Sequence, residues 1–257
     1  MPDNAHSLAV FIDFENLALG LVPRGGGRRA KKTEVLDMKR VLERLVEKGK
    51  VVSKRAYADW ARFSEYTTVL HELGIDLMEI PERGMTGKNS ADIRLVVDAM
   101  ELSYAKEHID TFVIVSGDSD FTPLVLRLKE NGKTVVGVGM KDSTSDLLAQ
   151  NCDEFIYYED IGGADGAPPL TDKVPPAKRK AFTLLFDTIE ALQRENVGNM
   201  HSSLVKDTMK RKQPQFSESS YGYRSFTQML EDAQKLGFIT LRKDERSGTY
   251  VVEGFAG

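Results

Sequence analysis

The chain has 257 residues, enough for one large or two modest domains, because a typical domain has about 100–200 residues. Hydrophobic residues make up 41% of it and charged residues 29%, which is ordinary for a protein with a sizeable core. A formal net charge of −4 excludes a globally basic nucleic-acid coat, and the lone cysteine, Cys152, excludes an intrachain disulfide and a cysteine-based zinc site. The apolar run Leu8–Ile12 is too short for a signal peptide or a membrane helix, so we expect a cytoplasmic protein without a membrane partner.

Charge is divided unevenly along the chain. Residues 171–257 carry 14 Lys/Arg against 11 Asp/Glu, a net charge of +3, whereas the first 170 residues carry −7. Between the two parts lies a segment rich in glycine and proline, 162–176, a composition typical of linkers. We therefore predict a first domain at 1–161, a linker at 162–176 and a second domain at 177–257.

In the first domain, short β-branched runs alternate with helical patterns. The predicted strands are Leu8–Ile12, Val51–Tyr57, Asp76–Ile80, Thr111–Val115, Thr134–Val138 and Glu154–Tyr158. The predicted helices are Glu34–Glu47, Phe63–Leu73, Ala91–Glu107, Phe121–Glu130 and Ser145–Gln150. Such alternation predicts an α/β fold, a mainly parallel Rossmann-like sheet with helices on both faces. Ligands of these sheets bind outside the carboxyl ends of the strands, so the residues that follow each strand are the first candidates for a site.

Carboxylates occupy those positions. Asp13 follows the first strand, Asp118 and Asp120 follow the fourth, and Asp92 opens a helix. Ionised carboxylates that lie close together repel each other unless a cation compensates, and oxygen-rich sites select Mg²⁺ or Mn²⁺. Purely structural roles stay open: Asp120 as a helix cap, Asp92 as a partner of its helix dipole, and Asn16 as a local hydrogen-bonding residue. Of these residues, Asp13 is the one that a purely structural role explains least, since it directly follows a buried strand.

Three motifs in this order resemble the NYN domain, which has a PIN-like nuclease fold. They are Ile12-Asp-Phe-Glu-Asn-Leu17, Ser90-Ala-Asp-Ile93 and Ser116-Gly-Asp-Ser-Asp-Phe121, and the resemblance covers about residues 5–160. It implies hydrolysis of RNA phosphodiesters, with Asp13, Asp92 and Asp118 as catalytic acids that also hold Mg²⁺ or Mn²⁺. Asp120 is implied as a fourth catalytic acid, and Asn16 as a residue near the metal or the phosphate.

Basic residues near these motifs are candidates for substrate binding. The segment 24–32 combines three consecutive glycines with five cations, and Lys88 stands just before Asp92. Either the segment is a solvated loop, or it grips the RNA backbone through phosphate contacts. The five cations are Arg24, Arg28, Arg29, Lys31 and Lys32.

The second domain is predicted to contain three helices followed by a hairpin. The helices are placed at 178–194, Ser202–Lys212 and Arg224–Leu236, and the hairpin strands at Phe238–Arg242 and Thr249–Val252. This order is that of a small α+β winged helix-turn-helix domain, and 176–254 resembles the LOTUS (OST-HTH) domain, which is associated with RNA binding. Tyr223 and Arg224 are its candidate RNA contacts, although an aromatic residue at a helix entry often packs inside instead.

Three functions are compatible with these residues. The leading one is a Mg²⁺- or Mn²⁺-dependent ribonuclease whose second domain holds the RNA, either single-stranded or structured. The second is an RNA-binding or regulatory adaptor with a vestigial nuclease fold. The third, a small-molecule phosphatase, leaves the second domain without a use. The sequence leaves a homodimer open.

Overall fold

The computed structural model describes residues 6–20, 36–80, 89–161, 168, 174–195, 198–245 and 248–256. The chain divides into two compact units, Met1–Gly162 and Gly163–Gly257, each with its own hydrophobic core. Within the described ranges, no helix has the length and apolarity needed to cross a membrane.

The first unit alternates strands and helices along the chain. Its strands are β1 (His6–Asp13), β2 (Gly49–Ala58), β3 (Asp76–Glu79), β4 (Thr111–Val115), β5 (Thr134–Gly139) and β6 (Glu154–Tyr157). Its helices are α1 (Phe14–Gly20), α2 (Met38–Lys48), α3 (Ser64–Glu72), α4 (Ser90–Ala105), α5 (Thr122–Glu130) and α6 (Asp146–Asn151). The predicted strands match closely, and α2 begins at Met38 rather than at Glu34, with Asp37 capping its amino end through the backbone N–H groups of Lys39 and Arg40.

All six strands pair in parallel, in the order β3-β2-β1-β4-β5-β6. The strand order reverses direction between β1 and β4, which are neighbours at the centre, with Val10 opposite Val113 and Ile12 opposite Val115. The predicted parallel α/β sheet is therefore confirmed. In an open sheet of this kind, the crevice at the carboxyl ends of the two strands flanking the reversal is where ligands bind.

Successive residues of β1 point to opposite faces, and each face is buried against helices. Leu8, Val10 and Ile12 face a core that includes residues of α1, α2 and α3. Ala9 and Phe11 face a second core that includes residues of α4, α5 and α6. Because both faces are covered, the strand is apolar from Leu8 to Ile12, and a polar side chain directly after that run is a candidate for a functional role.

Helix α1 was not predicted from the sequence. It begins directly after β1 and has only seven residues, so its periodic signal is weak. Its place is fixed by tertiary packing, because the Phe14 ring contacts Trp60, Phe63 and Tyr66 at centroid distances of 5.1–5.4 Å. As a consequence, Asn16 lies within a helical turn rather than in an open loop.

In its described residues, the second unit contains three α-helices and a small antiparallel sheet. They are α7 (Pro176–Arg194), α8 (Ser202–Lys212), α9 (Phe226–Lys235), β7 (Met200–His201), β8 (Ile239–Lys243) and β9 (Tyr250–Phe255), with the strand order β7-β9-β8. Rings of Phe182, Phe186, Phe238 and Phe255 pack together in its core. The two-residue strand β7 was not predicted, since so short a segment has no readable period.

Candidate functional site

Four aspartates lie at the carboxyl edge of the central strands. Asp13 is the last residue of β1, Asp118 and Asp120 follow β4, and Asp92 is in the first turn of α4. They are close enough for their charges to act on one another: Asp92 and Asp118 both raise the pKa of Asp13, and Asp118 and Asp120 raise that of Asp92. The fold thus gathers carboxylates that stand up to 107 positions apart in the sequence.

Asp13 is the most buried of the four, with 6% of its surface exposed. One carboxylate oxygen accepts the backbone N–H of Asn16 at 3.2 Å, and the other accepts the Ser116 hydroxyl at 2.9 Å. Burial raises the pKa of Asp13 to about 7, with Asp92 and Asp118 adding to the rise and the two hydrogen bonds opposing it. The two hydrogen bonds therefore offset only part of the cost of burying the charge. A cation bound beside Asp13 would stabilise its ionised form.

Asp92 has a similar electrostatic environment with more exposure. Its side chain is half-buried, and its pKa is raised to about 6, first by burial and then by the charges of Asp118, Asp120 and Glu15. The dipole role left open for Asp92 is a partial account, because a favourable helix dipole alone would lower this pKa rather than raise it.

Asp118 has a structural task as well as a place at the edge. Its Oδ1 accepts the N–H of Asp120 at 2.9 Å and caps a single 3₁₀ turn, Ser119–Phe121. The cap of α5 considered for Asp120 is not formed, because Phe121 is the N-cap of that helix and has no side-chain cap bond, and the Asp120 side chain is exposed. The backbone N–H of Asp118 in turn donates to the Ser116 hydroxyl oxygen at 3.2 Å.

Gly117 sets the spacing between the loops that follow β4 and β5. A Cβ at this position would lie 2.8 Å from the Ser143 carbonyl oxygen and 2.9 Å from the Thr144 Cα, both of them backbone atoms. Its carbonyl accepts the N–H of Ser145 at 2.8 Å, and its own N–H donates to the Asn16 Oδ1 at 2.9 Å. A side chain here would push the two loops apart and disturb the acidic edge.

These oxygen donors suit a hard divalent cation. Among the described residues, no three His, Cys, Asp or Glu side chains are arranged as a closed metal-binding cluster. Magnesium commonly keeps several waters and takes only one or two protein carboxylates, so such a cluster is not required for it. The buried Asp13 and the half-buried Asp92, whose pKa values are raised first by burial and then by neighbouring carboxylates, fit Mg²⁺ or Mn²⁺ in this way.

The predicted substrate-binding residues have different outcomes. The Asn16 amide oxygen accepts a hydrogen bond from the Gly117 N–H, so Asn16 connects the segment after β1 to the loop after β4. Tyr223 is 4% exposed, and its hydroxyl donates to Asp232 while the Lys178 ammonium lies over its ring at 4.2 Å. The ring is therefore packed inside and is not available for base stacking. Arg224 is exposed. Outside the described residues lie Arg24, Arg28, Arg29, Lys31, Lys32 and Lys88.

Two polar residues of this edge were not predicted as site residues. Ser116 is fully buried and connects Asp13 to Asp118; its position directly after a buried strand is the signal that could have identified it. Glu15 accepts the N–H of Asp59 at 3.1 Å and pairs with Arg62 at 3.2 Å. Its part in the site could not be read from sequence, because it depends on β2 lying beside β1.

Fold and site together define an α/β protein with a group of carboxylates at the reversal point of a parallel sheet. The profile of the NYN domain matches residues 7–159, and the chain belongs to this family, whose fold is of the nuclease type. An uncharacterized protein of Methanocaldococcus jannaschii, MJ0482, is 30% identical over 156 residues, which are 59% of this chain and 54% of that protein. The chain thus spans about half the length of the curated relative it matches.

A solved structure shares the fold. The protein of unknown function VPA0982 from Vibrio parahaemolyticus superposes with a TM-score of 0.51 at 24% identity, covering 63% of this chain and 98% of its own. At this identity the likeness concerns the architecture alone.

Proposed function

We propose that the first unit hydrolyses RNA phosphodiesters with Mg²⁺ or Mn²⁺ held at the acidic edge. The observation that carries this proposal is the gathering of Asp13, Asp92, Asp118 and Asp120 at the carboxyl ends of β1 and β4, with the pKa of Asp13 near 7 and that of Asp92 near 6. Carboxylates gathered in this way attract a divalent cation, and they would repel an anionic ligand that arrived without one. Membership of the NYN family supports the nuclease class.

Asp13, Asp92 and Asp118 would hold the metal, one or two of them directly and the rest through its waters, and the metal when bound polarises a phosphoryl oxygen and lowers the pKa of a bound water. The chain's own contribution is to orient these groups. Ser116 and the Asn16 N–H fix both oxygens of Asp13, and the 3₁₀ turn fixes Asp118. The exposed Asp120 is free to orient a water or accept its proton, which is the role we assign to the fourth acid.

A non-catalytic adaptor is the second candidate. It is favoured by the lack of a closed three-residue metal cluster within the described part of the chain. An assay that follows binding and cleavage together separates the two. We expect a labelled single-stranded RNA to be cut in Mg²⁺ or Mn²⁺ and left intact in EDTA. RNA that is retained on the protein in a gel-shift experiment but stays uncut in either metal would identify the adaptor.

We further propose that the second unit is a LOTUS-type winged helix that binds RNA. Three helices followed by the antiparallel strands β8 and β9 support this assignment. Several of its cations are already paired within the unit: Lys206 with Glu218 at 2.7 Å and Arg242 with Glu253 at 3.1 Å. Lys210, Arg224 and Lys243 are among the exposed cations of the unit, and we take them as candidates for phosphate contact.

A fragment of residues 172–257 is expected to fold alone, because it contains its own core, and to bind RNA weakly. With about three phosphate contacts to a single strand, log affinity should fall with log salt at a slope of about −2. Replacing Lys210, Arg224 and Lys243 together by glutamine should flatten that slope. Fluorescence anisotropy with labelled RNA measures it, and no binding at low salt would favour a protein-docking role for this unit instead.

The basic segment 24–32 and Lys88 stay proposals from the sequence. They would contact the RNA backbone near the acidic edge and contribute to affinity rather than to the chemical step, since contacts of this kind hold the ground state and the transition state alike.

A further inference from the structure

Helix α4 presents an exposed apolar stripe on the side away from its own core. Ile93 is 63% exposed, Val97 54% and Tyr104 64%, whereas Leu95 and Ala99 of the same helix are buried. Met100, at the edge of the stripe, is half-buried and packs partly against the core. The four positions are separated by four, three and four residues, which is the spacing of the a and d positions where two helices pack along a seam.

Charged residues flank this stripe on one side only. Arg94 follows Ile93, and Glu101 follows Met100, so both occupy the same flanking position one heptad apart. The opposite flank carries Val96 and Ser103, which have no charge. Flanking charges of this kind determine the partner and the orientation of paired helices.

We propose that the α4 stripe is the contact between two copies of this chain, paired antiparallel about a two-fold axis. Antiparallel pairing brings like flanks together, so Arg94 of each copy meets Glu101 of the other and two identical ion pairs form. The same register sets Ile93 against Tyr104 of the second copy, and Val97 against its Met100. A parallel pair would instead set the charged flank against the uncharged one, and both ion pairs would be lost.

The groups needed for these ion pairs are available in the monomer. The Arg94 Nε donates to the buried Asp98 at 2.8 Å, which fixes the guanidinium beside the stripe and leaves its terminal N–H groups for a second carboxylate. Within the described residues, Glu101 has no partner of its own. Because the same patch of both copies would be used, the assembly closes as a dimer and does not extend into a filament.

The proposed dimer leaves the acidic edge free and does not rest on the proposed activity. Asp92 lies on a different side of α4 from Ile93 and Val97, because successive residues of an α-helix are separated by about 100° around its axis. In the stated register, residue 92 of one copy lies beside residue 105 of the other, so the two Asp92 residues would be separated by about 20 Å along the helix axes. The proposed dimer would then contain two separate acidic sites.

The test uses the full chain, freed of nucleic acid, in sedimentation velocity over a range of about 1–500 µM. We expect a concentration-dependent monomer–dimer equilibrium, since one helix pair buries less than the standard interface of about 1,600 Å². Val97→Lys places two ammonium groups beside the axis and should weaken the dimer at least about tenfold. Glu101→Arg converts both ion pairs into repulsive pairs and should also weaken it, more strongly at low than at high salt.

Val69→Lys is the matched control, because Val69 is equally exposed at 53% but lies on α3. It should leave the dimer unchanged. Arg94 is not altered, since its loss would leave the buried Asp98 short of a partner. Circular dichroism melts establish that each variant is folded. A wild-type chain that stays monomeric up to the highest concentration overturns the proposal, as does a dimer that Val97→Lys leaves intact.

Discussion

Asp13→Asn is expected to abolish RNA hydrolysis while the protein stays folded. The substitution keeps the shape of the side chain and removes its charge. Losing an outer-shell partner of a metal ligand already costs 10–100-fold in affinity or activity, so losing a ligand should cost at least about two orders of magnitude in rate. Mn²⁺ binding, followed by calorimetry, should weaken in parallel with the rate.

The fold should tolerate this change because the pocket already favours a neutral group. After the substitution, the side-chain Oδ1 can still accept the Asn16 N–H. The Ser116 hydroxyl can rotate so that its oxygen accepts an N–H of the side-chain amide. The control is Asp76→Asn, an exposed residue at the start of β3, which should keep full activity. If Asp13→Asn cleaves RNA at the wild-type rate in matched Mg²⁺, Asp13 is not part of the site.

The metal-free protein is expected to lose stability as the pH rises from about 4 to about 7. The pKa of Asp13 in the folded chain is about 7, against 3.8 for the ordinary carboxyl, so over this range the folded state binds more protons than the unfolded state. Stability then falls with increasing pH. A shift of this size corresponds to about 4 kcal/mol, since one pKa unit is about 1.4 kcal/mol. The raised pKa of Asp92 acts in the same direction.

Urea unfolding in EDTA at several pH values measures this dependence. Mg²⁺ or Mn²⁺ should reverse it, because cation binding favours the ionised carboxylates and stabilises the folded state by mass action. Asp13→Asn should flatten the curve in EDTA and largely remove the effect of the metal near neutral pH. A wild-type stability that increases steadily from pH 4 to 7 in EDTA would contradict the electrostatics of this site.

The period of the hydrophobic pattern was sufficient to predict the sheet. A strand such as Thr111–Val115, buried on both faces, is apolar at every position after Thr111, and strand–helix alternation then requires parallel pairing. The same reasoning placed Asp13 and Asp118 at one edge, because parallel strands end on the same side. The sequence did not predict α1 or β7, since neither is long enough to establish a period.

What only the tertiary structure decided is the environment of each side chain. The pKa of Asp13 depends on burial beneath neighbouring elements and on Asp92 and Asp118, which are 79 and 105 positions away in the chain. Tyr223 illustrates the same limit, because an aromatic residue at a helix entry has the same sequence signal whether it packs inside or meets solvent. Periodicity is a local property of the chain and can be read in sequence order, whereas desolvation and Coulomb interaction depend on distances in space that the fold alone sets.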